Sequence, residues 1–137
     1  MVDVREFKRA CYAAARATGG RVIEFRIVDQ VAPSFHQGIV AYREREVAVV
    51  CKRDSAILAI AEPRNLLADG VQEAGPLRWV DEPALAAALA EQPGFHVLGS
   101  SELDGPLDTA AWPGVLPSDI AYWRPGTLGE ALFNYWD

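Results

Sequence analysis

Three short apolar runs, separated by charged turns, fill Gly38–Ala61 and limit what the rest of the chain can build. In the first, Ile39 and Ala41 alternate with Val40 and Tyr42. In the second, Val47, Val49 and Cys51 share one side, and Glu46, Ala48, Val50 and Lys52 share the other. In the third, Ile57, Ala59 and Ala61 oppose Ala56, Leu58 and Ile60. Side chains alternate across a strand, so a period of two rich in β-branched residues predicts strands rather than helices. The connections Arg43–Arg45 and Lys52–Ser55 are short and charged, as hairpin loops are. The second and third runs are apolar on both sides. A sheet of that kind needs helices over one face and a further covering over the other.

Asp3–Thr18 reads as a helix. Asp3 is placed to cap it, Glu6 follows three residues later as in a capping box, and Val2 and Phe7 fit a hydrophobic staple. Val4, Phe7, Cys11, Ala14, Ala15 and Thr18 form one stripe at helical spacing, and Gly19-Gly20 ends it. Arg5, Lys8, Arg9 and Arg16 point elsewhere, as on a solvated helix face. In Arg21–Val28, Ile23, Phe25 and Ile27 alternate with Glu24 and Arg26, which predicts a strand with one wet face. Asp29–Gln37 reads as a loop.

Eight of the nine prolines fall at or after Pro63, so the chain becomes less regular there. Arg64–Pro76 reads as an irregular connection with one helical turn at Asn65–Ala68. Leu77–Val80 suggests a short strand carrying Trp79. Asp81 is placed to cap a helix with Pro83 in its first turn and Leu85, Ala88 and Leu89 as its stripe. Phe95–Leu98 is expected to be the last strand. Gly99–Asp119 is a long irregular segment that sets Glu102, Asp104 and Asp108 beside Trp112. Acidic residues around an aromatic anchor suit a protein-binding loop. A tryptophan there can equally fold back over the sheet.

Thr127 and Glu130 fit a second capping box, and Leu128, Ala131, Leu132, Tyr135 and Trp136 form an apolar face at helical spacing. The pattern Trp123-x-Pro125-x-x-x-Gly129-Glu130-x-x-Phe133-Asn134-x-Trp136-Asp137 spans fifteen residues. It resembles the ending of small bacterial proteins, some of which resemble immunity proteins of toxin systems. The resemblance implies no catalytic residues.

Catalytic signatures are sparse. His36 and His96 stand far apart, and the chain has no Cys-x-x-Cys or His-x-x-x-His spacing, so no metal site is expected. Cys51 with either histidine would make a dyad, but a mid-strand thiol is hard to reach, and Cys11 and Cys51 read as buried thiols. No nucleophile elbow, phosphate loop or dinucleotide fingerprint occurs, so no cofactor is expected. Gly99-Ser100-Ser101 reads as a plain turn.

The net charge of −6 is unevenly spread. Residues 1–53 hold ten Lys/Arg and six Asp/Glu, whereas residues 54–137 hold three against thirteen. An acidic half opposes nucleic-acid binding, which needs clustered Lys/Arg, and fits a basic protein partner or simple solubility. The N-terminal residues lack a signal-peptide pattern and no apolar stretch approaches membrane-spanning length, which makes a cytoplasmic location the default.

These readings combine into a single α+β domain over residues 1–137, a mainly antiparallel sheet of four to six strands packed by N-terminal and C-terminal helices. The leading functional expectation is a non-catalytic protein-binding module, an immunity protein that occludes a basic, nuclease-like toxin through Glu102, Asp104, Asp108 and Trp112. The alternative is a small enzyme or ligand-binding domain, with a pocket between the sheet and residues 99–119 and His36, Tyr42 and His96 as first candidates. A homodimer through an exposed sheet face fits beside either. A helix as short as the last one is unstable alone and must dock on the body. Deleting Leu132–Asp137 should therefore lower the melting temperature, and a truncated chain that melts with the full-length protein would refute docking.

Overall fold

The computed structural model describes residues 2–29, 33–63 and 76–134. The expected helical turn at Asn65–Ala68 and the side chains of Tyr135 and Trp136 lie outside these residues. The first element, α1 (Val4–Ala17), is capped by Asp3, whose Oδ1 accepts the Arg5 N–H at 2.9 Å. Glu6 does not close the expected capping box; its carboxylate pairs instead with Arg9 one turn on. The helix ends as the glycine pair predicts. Gly19 takes φ +80°, and the N–H groups of Gly19 and Gly20 donate to the Arg16 and Ala15 carbonyls, which satisfies the last turn.

The sheet has five strands, β1 (Arg21–Arg26), β2 (Phe35–Ala41), β3 (Glu46–Lys52), β4 (Ile57–Ala61) and β5 (His96–Val97), in that spatial order. The first three pairings are antiparallel and the last is parallel. Trp79 adds an isolated antiparallel bridge to Ala61, where a short strand is expected. Two boundaries differ from the sequence reading. β2 starts at Phe35 rather than after Gln37, because His36 and Gln37 are buried and His36 Nδ1 accepts the Val28 N–H at 3.0 Å. In β1 the register slips between Val22 and Glu24, so Ile23 is the extra residue of a bulge. Val22 and Phe25 therefore pack toward α1, while Ile23 is 47% exposed.

Both faces of the central strands are covered. On one, Val40, Val47, Val49, Cys51, Leu58 and Ile60 meet Phe7, Cys11, Ala14 and Ala15 of α1 and Leu85, Ala88 and Leu89 of α2 (Pro83–Ala90). Gly38 lets α1 sit close: a Cβ there would stand 3.0 Å from Cys11 Sγ and 3.0 Å from the Phe25 ring. Asp81 does not cap α2. Glu82 holds the N-cap position without a side-chain bond to the helix, and Asp81 accepts from the Ser100 hydroxyl. Glu82 is drawn away by Arg45, which grips it through Nε and Nη2 at 3.0 and 2.6 Å and stacks 4.4 Å above the Tyr42 ring. A forked guanidinium–carboxylate contact with cation–π support outcompetes a solvated cap.

On the other face Phe35, Ile39, Ala48, Val50, Ala59 and Ala61 are covered by Leu77, Leu98, Leu103, Leu128, Leu132 and Phe133. The covering layer includes α3 (Ser100–Leu103) and α5 (Leu128–Leu132). Thr127 caps α5 by accepting the Glu130 N–H at 3.2 Å, and Glu130 accepts the Gly126 N–H at 2.7 Å, one residue before the position of a regular capping box. Gly129 lies flat on Trp79; a Cβ there would fall 2.6 Å from the indole Nε1. Phe133, just past the helix, is 1% exposed and meets Phe35 and Trp79 edge-on at 6.3 and 5.4 Å. Ser34 ties this segment down: its N–H donates to the Asn134 carbonyl at 2.7 Å, its hydroxyl donates to the Leu132 carbonyl at 2.9 Å, and its Oγ accepts the Asn134 N–H at 3.0 Å.

Phe133→Ala should cost about 3–5 kcal/mol of stability, the range for emptying a buried aromatic site. Gly129→Ala should cost about 1–3 kcal/mol by overpacking against the indole. Gly114→Ala, where an added Cβ meets nothing within 4 Å, is the control. Urea unfolding of the three variants checks this ranking.

Candidate partner-binding surface

Residues 99–119 are more ordered than the sequence reading expects, because two short helices interrupt them: α3, and α4 (Pro117–Trp123), which starts within the segment. Trp112 lies between the two. It is half-buried and packs on the second core cluster beside Leu107 and Val115. Its N–H donates to the Asp108 carbonyl at 3.2 Å. Of the acids grouped with it, Asp104 and Asp108 are exposed at turns, and Glu102 turns back so that its Oε1 accepts the Gly99 N–H at 3.3 Å. Asp108 Oδ1 accepts the Ala110 N–H at 3.1 Å, which fixes the turn leading into Trp112.

The exposed aromatic surface lies on α4. Leu116, Ile120 and Trp123 recur at i, i+4 and i+7, spacing that ordinarily turns a helix toward a core. Here no residue of α4 is buried, and Leu116 and Tyr122 are 55% and 77% exposed. The Tyr122 and Trp123 rings meet edge-on at 4.9 Å. A cavity of about 480 Å³ opens along α4, lined by Thr109, Pro113, Val115, Pro117, Ile120 and Ala121. Arg124 closes the helix at φ 48°, ψ 60°, a left-handed conformation that costs a non-glycine residue on the order of 1–2 kcal/mol. That fixed turn sets the direction in which the aromatic pair is presented. The sequence reading centres the partner-binding residues on Trp112, which is half-buried; the Leu116–Trp123 spacing does not by itself tell a buried stripe from an open one.

The stretch leading to α4 is one-signed in sequence, although its Glu82 and Glu91 flank α2 on the other face of the sheet and Glu82 is paired with Arg45. Between Arg78 and Arg124 stand seven carboxylates and no Lys or Arg. Asp108 adjoins Thr109 of the cavity lining, and Asp119 belongs to α4 itself.

The residues named for an enzyme or ligand pocket do not converge. His36 is buried on β2, His96 is exposed on β5, and β3 and β4 lie between those strands. The Tyr42 hydroxyl is bonded to Thr18 Oγ1 at 2.7 Å. The space between the sheet and residues 99–119 is packed by Leu98, Leu103, Leu107, Trp112 and Val115. His36 and Cys51 do face each other across β2 and β3, yet their environment opposes nucleophilic chemistry. Burial pushes the Cys51 thiol up to about 12, and its S–H points to the Lys52 and Ser55 carbonyls. Burial, and next to it the charge of Arg53, holds His36 below its ordinary value. Burial likewise raises Cys11, with Cys51 as a second cause. Among the described residues no three His, Cys, Asp or Glu side chains gather as metal ligands, and no helix is long and apolar enough to cross a membrane. The chain matches no family model, no curated protein and no solved structure.

Because His36 is buried as a neutral acceptor, its folded pKa lies below the unfolded value near 6.5. Its contribution to stability is present above that value and is lost as pH falls toward the lower folded value. His36→Asn keeps an acceptor for Val28 without a titrating ring, so its melting temperature should fall less than that of the parent chain between pH 7.5 and 5. Parallel slopes for the two proteins would show that His36 is not the group responsible.

Proposed function

We propose that this chain is a non-catalytic protein-binding module, and specifically an immunity protein that neutralises a basic, nuclease-like toxin by covering its functional surface. The observation that carries this reading is α4, a helix with an apolar stripe and a Tyr122–Trp123 pair that buries none of its residues. Contiguous exposed apolar surface is unfavourable in water and marks places where a partner docks. Exposed aromatic side chains supply the anchors that dominate binding energy at interfaces. Glu102, Asp104, Asp108 and Asp119, which precede the aromatic pair with no Lys or Arg among them, favour a cationic partner and speed its approach, against the cation Arg124 that follows it. The likeness of the Trp123–Asp137 pattern to immunity-like proteins points the same way.

Glu102, Asp104 and Asp108 steer the partner on this reading, and Leu116, Tyr122 and Trp123 anchor it. Trp112 backs the surface from the core side and is a lesser contact. The probes are purified basic nuclease-toxin domains, assayed for binding to the chain and for loss of nuclease activity in its presence. Tyr122→Ala and Trp123→Ala should each weaken binding roughly thirtyfold, the effect of losing about 2 kcal/mol at a hot spot. Lysine at positions 102, 104 and 108 together should slow association roughly tenfold at low salt and much less at high salt. Binding that ignores the aromatic variants, or the absence of binding to every basic domain tried, would overturn the proposal.

A further inference from the structure

The sheet faces are both covered, but among the described residues neither end strand has a further strand beside it, and of the two β5 is only two residues long whereas β1 has six. β1 stands at the end of the strand order with no further strand beside it among the described residues. An open edge invites pairing with another strand, and sheets usually blunt it with charge, bulges or cover. β1 carries a bulge at Ile23, yet apolar side chains remain bare on it and just past its end: Ile23 and Ile27 are 47% and 38% exposed. Tyr12, 56% exposed, reaches over from α1 and packs edge-on against Phe25 at 5.5 Å. Half of the six exposed large hydrophobics of the described residues therefore sit at this edge, away from those of α4.

We propose that β1 is the interface of a symmetric homodimer, in which two copies of this chain pair antiparallel about Phe25 and join their sheets into one. The occupant is a second copy because the strand is complementary to itself in one register. With Phe25 opposite Phe25 of the partner subunit, Glu24 falls opposite Arg26 of the partner subunit, and the exposed Ile23, at the bulge, and Ile27, one residue past the strand, flank these pairs at either end. A twofold axis makes the Glu24–Arg26 pair twice. Opposite charges and apolar side chains set directly across a strand pair are favourable, and like charges there are unfavourable. Moving the axis to Glu24 would set the two Glu24 carboxylates against each other, and moving it to Arg26 would do the same to the two guanidinium groups. Glu24 and Arg26 already pair within one strand, Nε to Oε2 at 2.7 Å, so dimerisation extends an existing ion pair into a four-residue ladder. Tyr12, on the α1 side of Phe25, then covers the junction. This surface is distinct from α4, and the proposal stands or falls independently of the immunity reading.

The test is the mass of the full chain in solution, by light scattering and sedimentation across a concentration series. The expected result is a reversible species of twice 14.9 kDa. Ile23→Lys and Ile27→Lys, at exposed positions, should each raise the dimer dissociation constant at least tenfold without changing the melting temperature extrapolated to low concentration. Glu24→Arg should do the same, and the swap Glu24→Arg with Arg26→Glu should restore dimerisation. Because the swap also restores the pair within one strand, the register is tested by mixing the Glu24→Arg and Arg26→Glu chains, which can pair opposite charges only across the axis and should form a heterodimer. A chain that stays monomeric at every concentration overturns the proposal, as does a dimer indifferent to the Ile23, Ile27 and Glu24 variants.

Discussion

Everything in this structure depends on burying a sheet that is apolar on both faces. β2, β3 and β4 cannot leave either side to water: Val47, Val49 and Cys51 point one way, and Ala48 and Val50 point the other, with all five buried. At about 25 cal/mol for each Å² of apolar surface removed from water, a one-sided covering would forfeit a large part of the stabilisation. The fold answers with two unlike layers. One is made of regular helices, α1 and α2, brought close by the missing side chain of Gly38. The other is assembled from short helices, turns and single aromatic residues contributed by chain segments far apart in sequence.

That difference explains what the sequence made legible. Regular layers repeat, and repetition can be read: the α1 stripe, its glycine ending, the central meander and the Leu85–Leu89 helix all follow from period and punctuation. The second layer is held by individual contacts. Phe133 stands outside any helical stripe because it follows the last turn of α5 in extended backbone, and its burial is decided by Phe35 and Trp79. The bulge at Ile23 leaves no mark in an alternating sequence, since a strand pattern fixes which residues alternate and not where the partner strand skips one. Asp81 and Glu6 carry good capping chemistry but are claimed by Ser100 and Arg9.

The candidate surface was half legible for a related reason. Charge is additive along a sequence, so the excess of carboxylates between Arg78 and Arg124 was visible without coordinates. Exposure is not additive. Trp112 and Trp123 are the same residue type eleven positions apart in one acidic stretch, yet Trp112 packs on the core cluster while Trp123 stands on a helix with nothing buried. What separates them is Pro117, which starts α4 and carries its residues off the sheet, and the left-handed turn at Arg124, which brings the chain back.

The knot between Ser34 and the Leu132–Asn134 backbone has a consequence for how the protein is made. Ser34 is joined to residues 98 and 100 positions later, so the meander leaves the ribosome long before its second covering exists. Until Leu128, Leu132 and Phe133 are synthesised, Phe35, Ile39 and Val50 face the cell with only the opposite side of the sheet clad. A nascent chain in that state resembles an aggregation-prone folding intermediate, and long-range closure of this kind comes late. The second layer therefore closes only once Leu128–Asn134 can reach Phe35, Ile39 and Val50.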